Sequence, residues 1–129
     1  DGDTMTLLTP DKRQIKIRVQ GIDAPEKSQA FGQKARQAMA DMVFQRQVYA
    51  MCPETDRYER QICMVFVEKM DAGLNLVNQG LAWHYKQYAK NQRPKDRASY
   101  AAAEIKAQAQ GRGLWSEKNP TPPWEFRRK

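Results

Sequence analysis

The order of patterns in this chain predicts a small α+β domain built on a closed antiparallel sheet. Short alternating segments come first, helix-period stretches are interleaved with further strands, and the connections are too uneven for a regular βαβ array. With 129 residues there is room for one domain with a real core and not for two of ordinary size. Residues 1–129 are therefore one unit, of which 118–129 read as an irregular C-terminal tail.

Residues 3–9 favour extended structure, and Pro10-Asp11 supplies a turn. In 14–19 the apolar Ile15, Ile17 and Val19 alternate with Lys16, Arg18 and Gln20, so Arg18 lies on the face opposite the core. Gly21 allows a tight backbone path, and Pro25 pushes Ala24 into an extended conformation. Asp23 and Glu26 are thereby held on a loop at the end of a sheet, a common place for reactive groups on a rigid scaffold. Phe31, Ala35, Ala38, Met39, Met42 and Val43 recur at helical spacing and predict a helix over 30–44. Strands over 48–52 and 61–67 flank a charged loop rich in turn formers, and Arg60 stands where the second begins. Asp71 is the expected N-cap of a short helix that stops at Gly80. An aromatic, partly basic stretch over 81–88 and a polar loop through Asn91 and Pro94 follow, then an alanine-rich helix over 99–110 closed by Gly111.

A formal net charge of +7 and a pI near 9.6 favour a polyanionic partner, nucleic acid first and an anionic membrane surface second. No apolar run approaches the length that spans a bilayer. Cys52 and Cys63 do not form a metal-knuckle pattern; a cross-strand disulfide and a pair of buried thiols both fit their placement. The chain opens on Asp1-Gly2-Asp3-Thr4, inside what reads as a motif, so a truncated first strand is expected and the compartment stays open.

Asp3 and Asp23 fall on strand ends or loops near Glu26, with no histidine or thiol in company. Oxygen donors alone suit a hard cation; calcium tolerates an irregular ligand set, and magnesium is the alternative. The single histidine, His84, reads as a solvated or core-edge residue, and no serine or cysteine has the partners of a nucleophile. Arg18 and Arg60 bring planar, permanently charged forks that match two phosphoryl oxygens at once. Cations beside carboxylates in this pattern point to phosphodiester hydrolysis.

The segments Asp1-Gly2-Asp3-Thr4, Arg18 with Gly21-Ile22-Asp23-Ala24-Pro25-Glu26, Phe31-Gly32, Asp56-Arg57-Tyr58 with Arg60, Gly80-Leu81-Ala82 and Gly113-Leu114-Trp115-Ser116 together resemble the staphylococcal nuclease (thermonuclease) family. The similarity runs through nearly the whole chain in the family's order. It implies an OB-fold, a five-stranded antiparallel β-barrel with three α-helices, that binds Ca2+ and cuts DNA and RNA without regard to the sugar, leaving 3'-phosphates. By the same resemblance Asp3, Asp23 and the Ala24 carbonyl hold the calcium, and Glu26 orients or deprotonates the attacking water. Arg18 and Arg60 hold the scissile phosphate, Arg57 and Tyr58 contact the nucleotide, and Tyr85 and Tyr88 line the base pocket. A monomer acting on single strands or frayed duplexes is implied, with a secreted or periplasmic setting favoured over a cytoplasmic one.

Glu59 departs from the family, standing where glycine is usual before the arginine and adding an acid beside Arg60. The segment between Glu26 and Phe31-Gly32 is also shorter than in the staphylococcal enzyme. A second reading, from another class, is a catalytically impaired OB-fold module that binds single-stranded nucleic acid. Such modules typically lack the carboxylates or the arginines, and here all five residues are present, so the enzyme reading leads. A membrane-docking domain is weakest, because no helix shows one strongly basic face.

Overall fold

The first strand, β1 (Thr4–Leu8), pairs antiparallel with β2 (Gln14–Val19), setting Thr4 opposite Arg18 and Leu8 opposite Gln14. The alternation of β2 works as its sequence predicts: Ile17 and Val19 are buried and Arg18 is half-buried on the other face. At Gly21 the backbone turns through φ 83, a left-handed value that glycine takes without strain, and β3 (Ile22–Asp23) follows at once. A twelve-residue helix, α1 (Gly32–Val43), comes next and buries Ala35 and Met39, with Ala38, Met42 and Val43 packed behind them. A Cβ at Gly32 would collide with the carbonyl oxygen of Glu26, so the glycine lets the Glu26 loop lie against the start of this helix.

β4 (Tyr49–Thr55) and β5 (Gln61–Val67) form an antiparallel pair with an irregularity between Met51 and Glu54. A short β6 (Met70–Asp71) folds back on β5 and leads into α2 (Ala72–Asn78), whose N-terminus is capped as predicted: the Asp71 side chain accepts from the Leu74 N–H at 3.1 Å. β7 (Trp83–His84) pairs with β3, placing Trp83 opposite Asp23. After a 3-10 segment (Lys86–Asn91), α3 (Pro94–Ala109) packs on α2, and its buried Tyr100 hydroxyl donates to both Asp71 oxygens, each at 2.8 Å. A second 3-10 turn (Gly113–Ser116) and a four-residue α4 (Pro123–Phe126) complete the chain. The computed structural model describes residues 1–128, and the last residue of the predicted tail, Lys129, lies outside them.

Three expectations are corrected. The main sheet runs β1-β2-β5-β4, with β6 also on β5, and it is mixed: β2 and β5 run parallel, with Arg18 level with Ile62. The crossover through α1 and β4 returns the chain in the direction of β2, as a parallel neighbour requires. The sheet is also not closed. β1 and β4 end the order, unpaired with each other among the described residues, and an open groove of about 2400 Å³ is lined by Met5, Leu7, Ile15, Val48, Tyr49 and Phe66. Closure would need the two strands about 4.8 Å apart; β1 is only five residues long, and Pro53 leaves β4 without one backbone donor. Finally, α4 and the two 3-10 turns add to α1, α2 and α3, so the helices exceed the three expected. The cysteine alternatives resolve as a Cys52–Cys63 disulfide between β4 and β5.

Candidate active site

Asp3 precedes β1 and is 4% exposed; Asp23 ends β3 and is fully buried. The Val19 N–H donates to the Asp3 carbonyl at 2.8 Å, which ties the start of the chain to the end of β2. Asp3 Oδ2 in turn accepts the Ala24 N–H at 2.8 Å. Arg18 reaches both carboxylates, with Nη1 3.5 Å from Asp3 Oδ2 and Nη2 3.6 Å from Asp23 Oδ1. Asp3, Arg18, Asp23 and Ala24, drawn from the chain's opening, one strand and one loop, thus converge. Burial pushes the Asp23 carboxyl above its ordinary value, Asp3 adds to the rise, and the nearby guanidiniums pull the other way.

Glu26 is half-buried in a turn that closes on itself. Its N–H donates to Gln29 Oε1 at 2.8 Å, and its carbonyl accepts the Gln29 N–H at the same distance. The side chain joins the acidic pair through a residue the sequence reading did not single out, Arg127. That guanidinium forks onto Asp23, Nη1 to Oδ1 at 3.1 Å and Nη2 to Oδ2 at 2.7 Å, with Nη1 also 3.7 Å from Glu26 Oε2. The carboxylates hold the Arg127 pKa above its ordinary value.

Arg60 stands in a separate cluster at the head of β5. Asp56 Oδ1 accepts from the Tyr58 and Arg60 N–H groups at 2.8 and 3.0 Å, and Oδ2 from Arg60 Nε at 2.8 Å. Burial acts to raise the Asp56 pKa, but these hydrogen bonds outweigh it and hold the carboxyl below its usual value. The exposed Tyr58 ring has the Arg57 and Arg60 guanidiniums 5.0 and 5.4 Å from its centre. Glu59 takes φ 64, a left-handed backbone that glycine would adopt without strain. The acid paired with Arg60 is Asp56, and among the described residues Glu59 makes no ion pair. No direct contact joins Arg60 to the Asp3–Asp23 pair among the described residues; what relates the two clusters is the β2–β5 register, with Gln61 beside Ile17 and Ile62 beside Arg18.

Tyr85 and Tyr88 meet edge to face at 5.0 Å, and Trp124 of α4 lies flat on Tyr85 at 5.4 Å with an interplanar angle of 7°. The Tyr85 N–H donates to the Gly21 carbonyl at 2.9 Å, which fixes this group beside the Asp23 loop. Burial and the Asp23 charge raise the Tyr85 pKa while Arg127 lowers it, so the aromatic group borders the acids. His84 is a core residue, 1% exposed, with Nε2 2.8 Å from Gln92 Oε1. Burial holds its pKa below the usual value. The one sequence signal for Trp124 and Arg127 was Pro122-Pro123 followed by alternating aromatic and charged residues, since proline at N1 starts a helical turn.

A family model described as "Staphylococcal nuclease homologue" matches residues 16–117. The chain belongs to the staphylococcal nuclease family. It is 44% identical over 128 residues to an "Uncharacterized endonuclease" of Haemophilus influenzae, covering 99% of this chain and 68% of that protein. It is 39% identical over 137 residues to a "Micrococcal nuclease" of Shigella flexneri, covering 99% of this chain and 76% of that protein, and 37% identical to "Protein ParB" of Escherichia coli, covering 99% and 75%.

For a family member the question is whether these residues fit a cation. The donors are all oxygens, and the two carboxylates lie along one guanidinium close enough for Asp3 to act on Asp23 electrostatically. Among the described residues no third His, Cys, Asp or Glu joins them in a metal-ligating group, so the rest of a coordination shell would be main-chain or neutral side-chain oxygens and water. Two buried carboxylates supplemented by a carbonyl fit a hard divalent cation.

Proposed function

We propose that the chain is a calcium-dependent, sugar-nonspecific endonuclease that hydrolyses DNA and RNA by in-line attack of water and leaves 3'-phosphate ends. The observation that carries this reading is the convergence of Asp3, Asp23 and Arg18, with Glu26 braced beside them, in a chain of this family. Calcium, held by Asp3, Asp23 and the Ala24 carbonyl, would supply charge neutralisation at the phosphate. Glu26 takes a proton from the attacking water; its braced turn limits how far the carboxylate wanders. Arg18 and Arg60 fork onto phosphoryl oxygens and stabilise the charge that builds there. Arg57 and Tyr58 bind the nucleotide backbone, and Tyr85 and Tyr88 offer a base face that reads no sequence.

The test is degradation of plasmid DNA and of RNA, with calcium, with chelator, and by Glu26→Gln and Arg60→Ala. Chelation should abolish cleavage, each variant should lose roughly a hundredfold or more, and product oligonucleotides should carry 3'-phosphates by mass. Near-normal cleavage by both variants removes this mechanism. One observation favours the second reading, a catalytically impaired binding module: Arg127 takes both Asp23 oxygens. Binding of oligonucleotide without cleavage at any calcium concentration would decide for it.

A further inference from the structure

Asp23 is fully buried, and a buried carboxylate must be neutralised or hydrogen-bonded to stay charged. Arg127 does both with a fork whose two contacts are 3.1 and 2.7 Å. Arg18 is different: it stands 3.5 and 3.6 Å from Asp3 and Asp23, and its Nη1 donates instead to the Val19 carbonyl at 3.1 Å. Arg127 therefore already occupies one lone pair on each Asp23 oxygen, and a divalent ion has to share with it the one carboxylate that Arg18 also faces. A divalent ion there would add two positive charges to a carboxylate that already faces Arg18 and Arg127, and of the two guanidiniums Arg127, 38% exposed, is the one that can relieve the repulsion by turning into water.

We propose that Arg127 competes with the cation for Asp23 and so sets the affinity of the site, the guanidinium leaving the carboxylate when the ion binds. This rests on the reading that a divalent cation sits on Asp3 and Asp23. The exchange needs only a side-chain movement. Pro123 is fully buried, Trp124 is stacked on Tyr85 and meets Trp83 edge to face at 5.3 Å, and Thr121 accepts from Gln29 Nε2 at 3.0 Å. The tail is anchored at those points while the Arg127 side chain, 38% exposed, opens toward solvent. If Arg127 were only a staple for the tail, removing it would leave cation affinity unchanged or weaken it by loosening Asp23. Competition requires the opposite sign, because a linked equilibrium gains what the competitor withheld.

Calcium and terbium titrations by calorimetry on the full chain separate the two. Arg127→Ala should bind either ion roughly tenfold more tightly than the parent chain, and Arg127→Lys, which keeps a charge, should stay closer to the parent. Arg127→Gln, which keeps donors and loses the charge, should also tighten binding and covers the case in which the alanine variant does not fold. Melting curves give a readout independent of activity: added calcium should raise Tm further in Arg127→Gln than in the parent. Equal or weaker affinity in the neutral variants, with the parent binding calcium, overturns the competition and leaves the nuclease reading standing. Absence of calcium binding in every chain overturns both.

Discussion

Arg60 is held by a single carboxylate that also builds the turn before it. Asp56 satisfies two backbone N–H groups and the Arg60 Nε, so it fixes the guanidinium and at the same time cancels part of its charge. Glu59, although adjacent, contributes strain through its left-handed backbone and no ion pair. Two variants separate these effects. Glu59→Gly removes roughly 1 kcal/mol of backbone strain and returns roughly the same through the looser unfolded chain, so stability should hardly change and KM for an oligonucleotide should move less than about twofold. Asp56→Ala removes the acceptor of two N–H groups that water can reach and should cost about 1 kcal/mol of stability by urea denaturation, with kcat/KM falling at least tenfold as Arg60 loses its orientation. If Glu59→Gly proves the more damaging of the two, Asp56 is not what positions Arg60.

At the scale of elements, the Cys52–Cys63 disulfide spans the irregular part of the β4–β5 hairpin that ends in this turn. The loop it closes, with a sequence separation of 11, corresponds to a stabilisation of about 3 kcal/mol in the chain-entropy account. Cys52→Ala with Cys63→Ala, or reduction of the parent, should lower unfolding stability by up to that amount, and a reduced chain as stable as the oxidised one would refute the estimate. The sequence could not choose between bridge and thiols because the choice depends on strand register. The hairpin was legible, but β4 runs past Cys52 to Thr55 and slips its pairing at Pro53, which local propensity does not show. The same limit applies to Pro94, read as part of a loop and found at the start of α3, where a missing N–H costs nothing. The period of two in β2, the helical face of α1 and the Asp71 cap were readable because each is set by neighbours in sequence. The fork of Arg127 onto Asp23 joins residues 104 apart in sequence, and no local pattern could announce it.

For the whole molecule, the question is whether nucleic acid is held by the site alone or by the basic surface as a whole. The net charge of +7 allows either. The main candidates for phosphate contact at the site are Arg18, Arg57 and Arg60; the first and last are partly neutralised by Asp3, Asp23 and Asp56, while Arg57 is exposed. About three phosphate contacts on a single strand give a slope near −2 in log affinity against log salt, hence roughly a twentyfold loss between about 50 and 200 mM. Engagement of the whole excess charge, about seven contacts, would give roughly a thousandfold loss over the same range. Glu26→Gln is the suitable chain for this measurement, because on the proposed mechanism it should bind an oligonucleotide and cleave it roughly a hundredfold more slowly. A loss near twentyfold, shrinking to about sevenfold in Arg57→Ala as one contact is removed, is the expected outcome. A loss near a thousandfold, or one that Arg57→Ala leaves unaltered, would mean that basic surface outside the site, rather than the site, holds the strand.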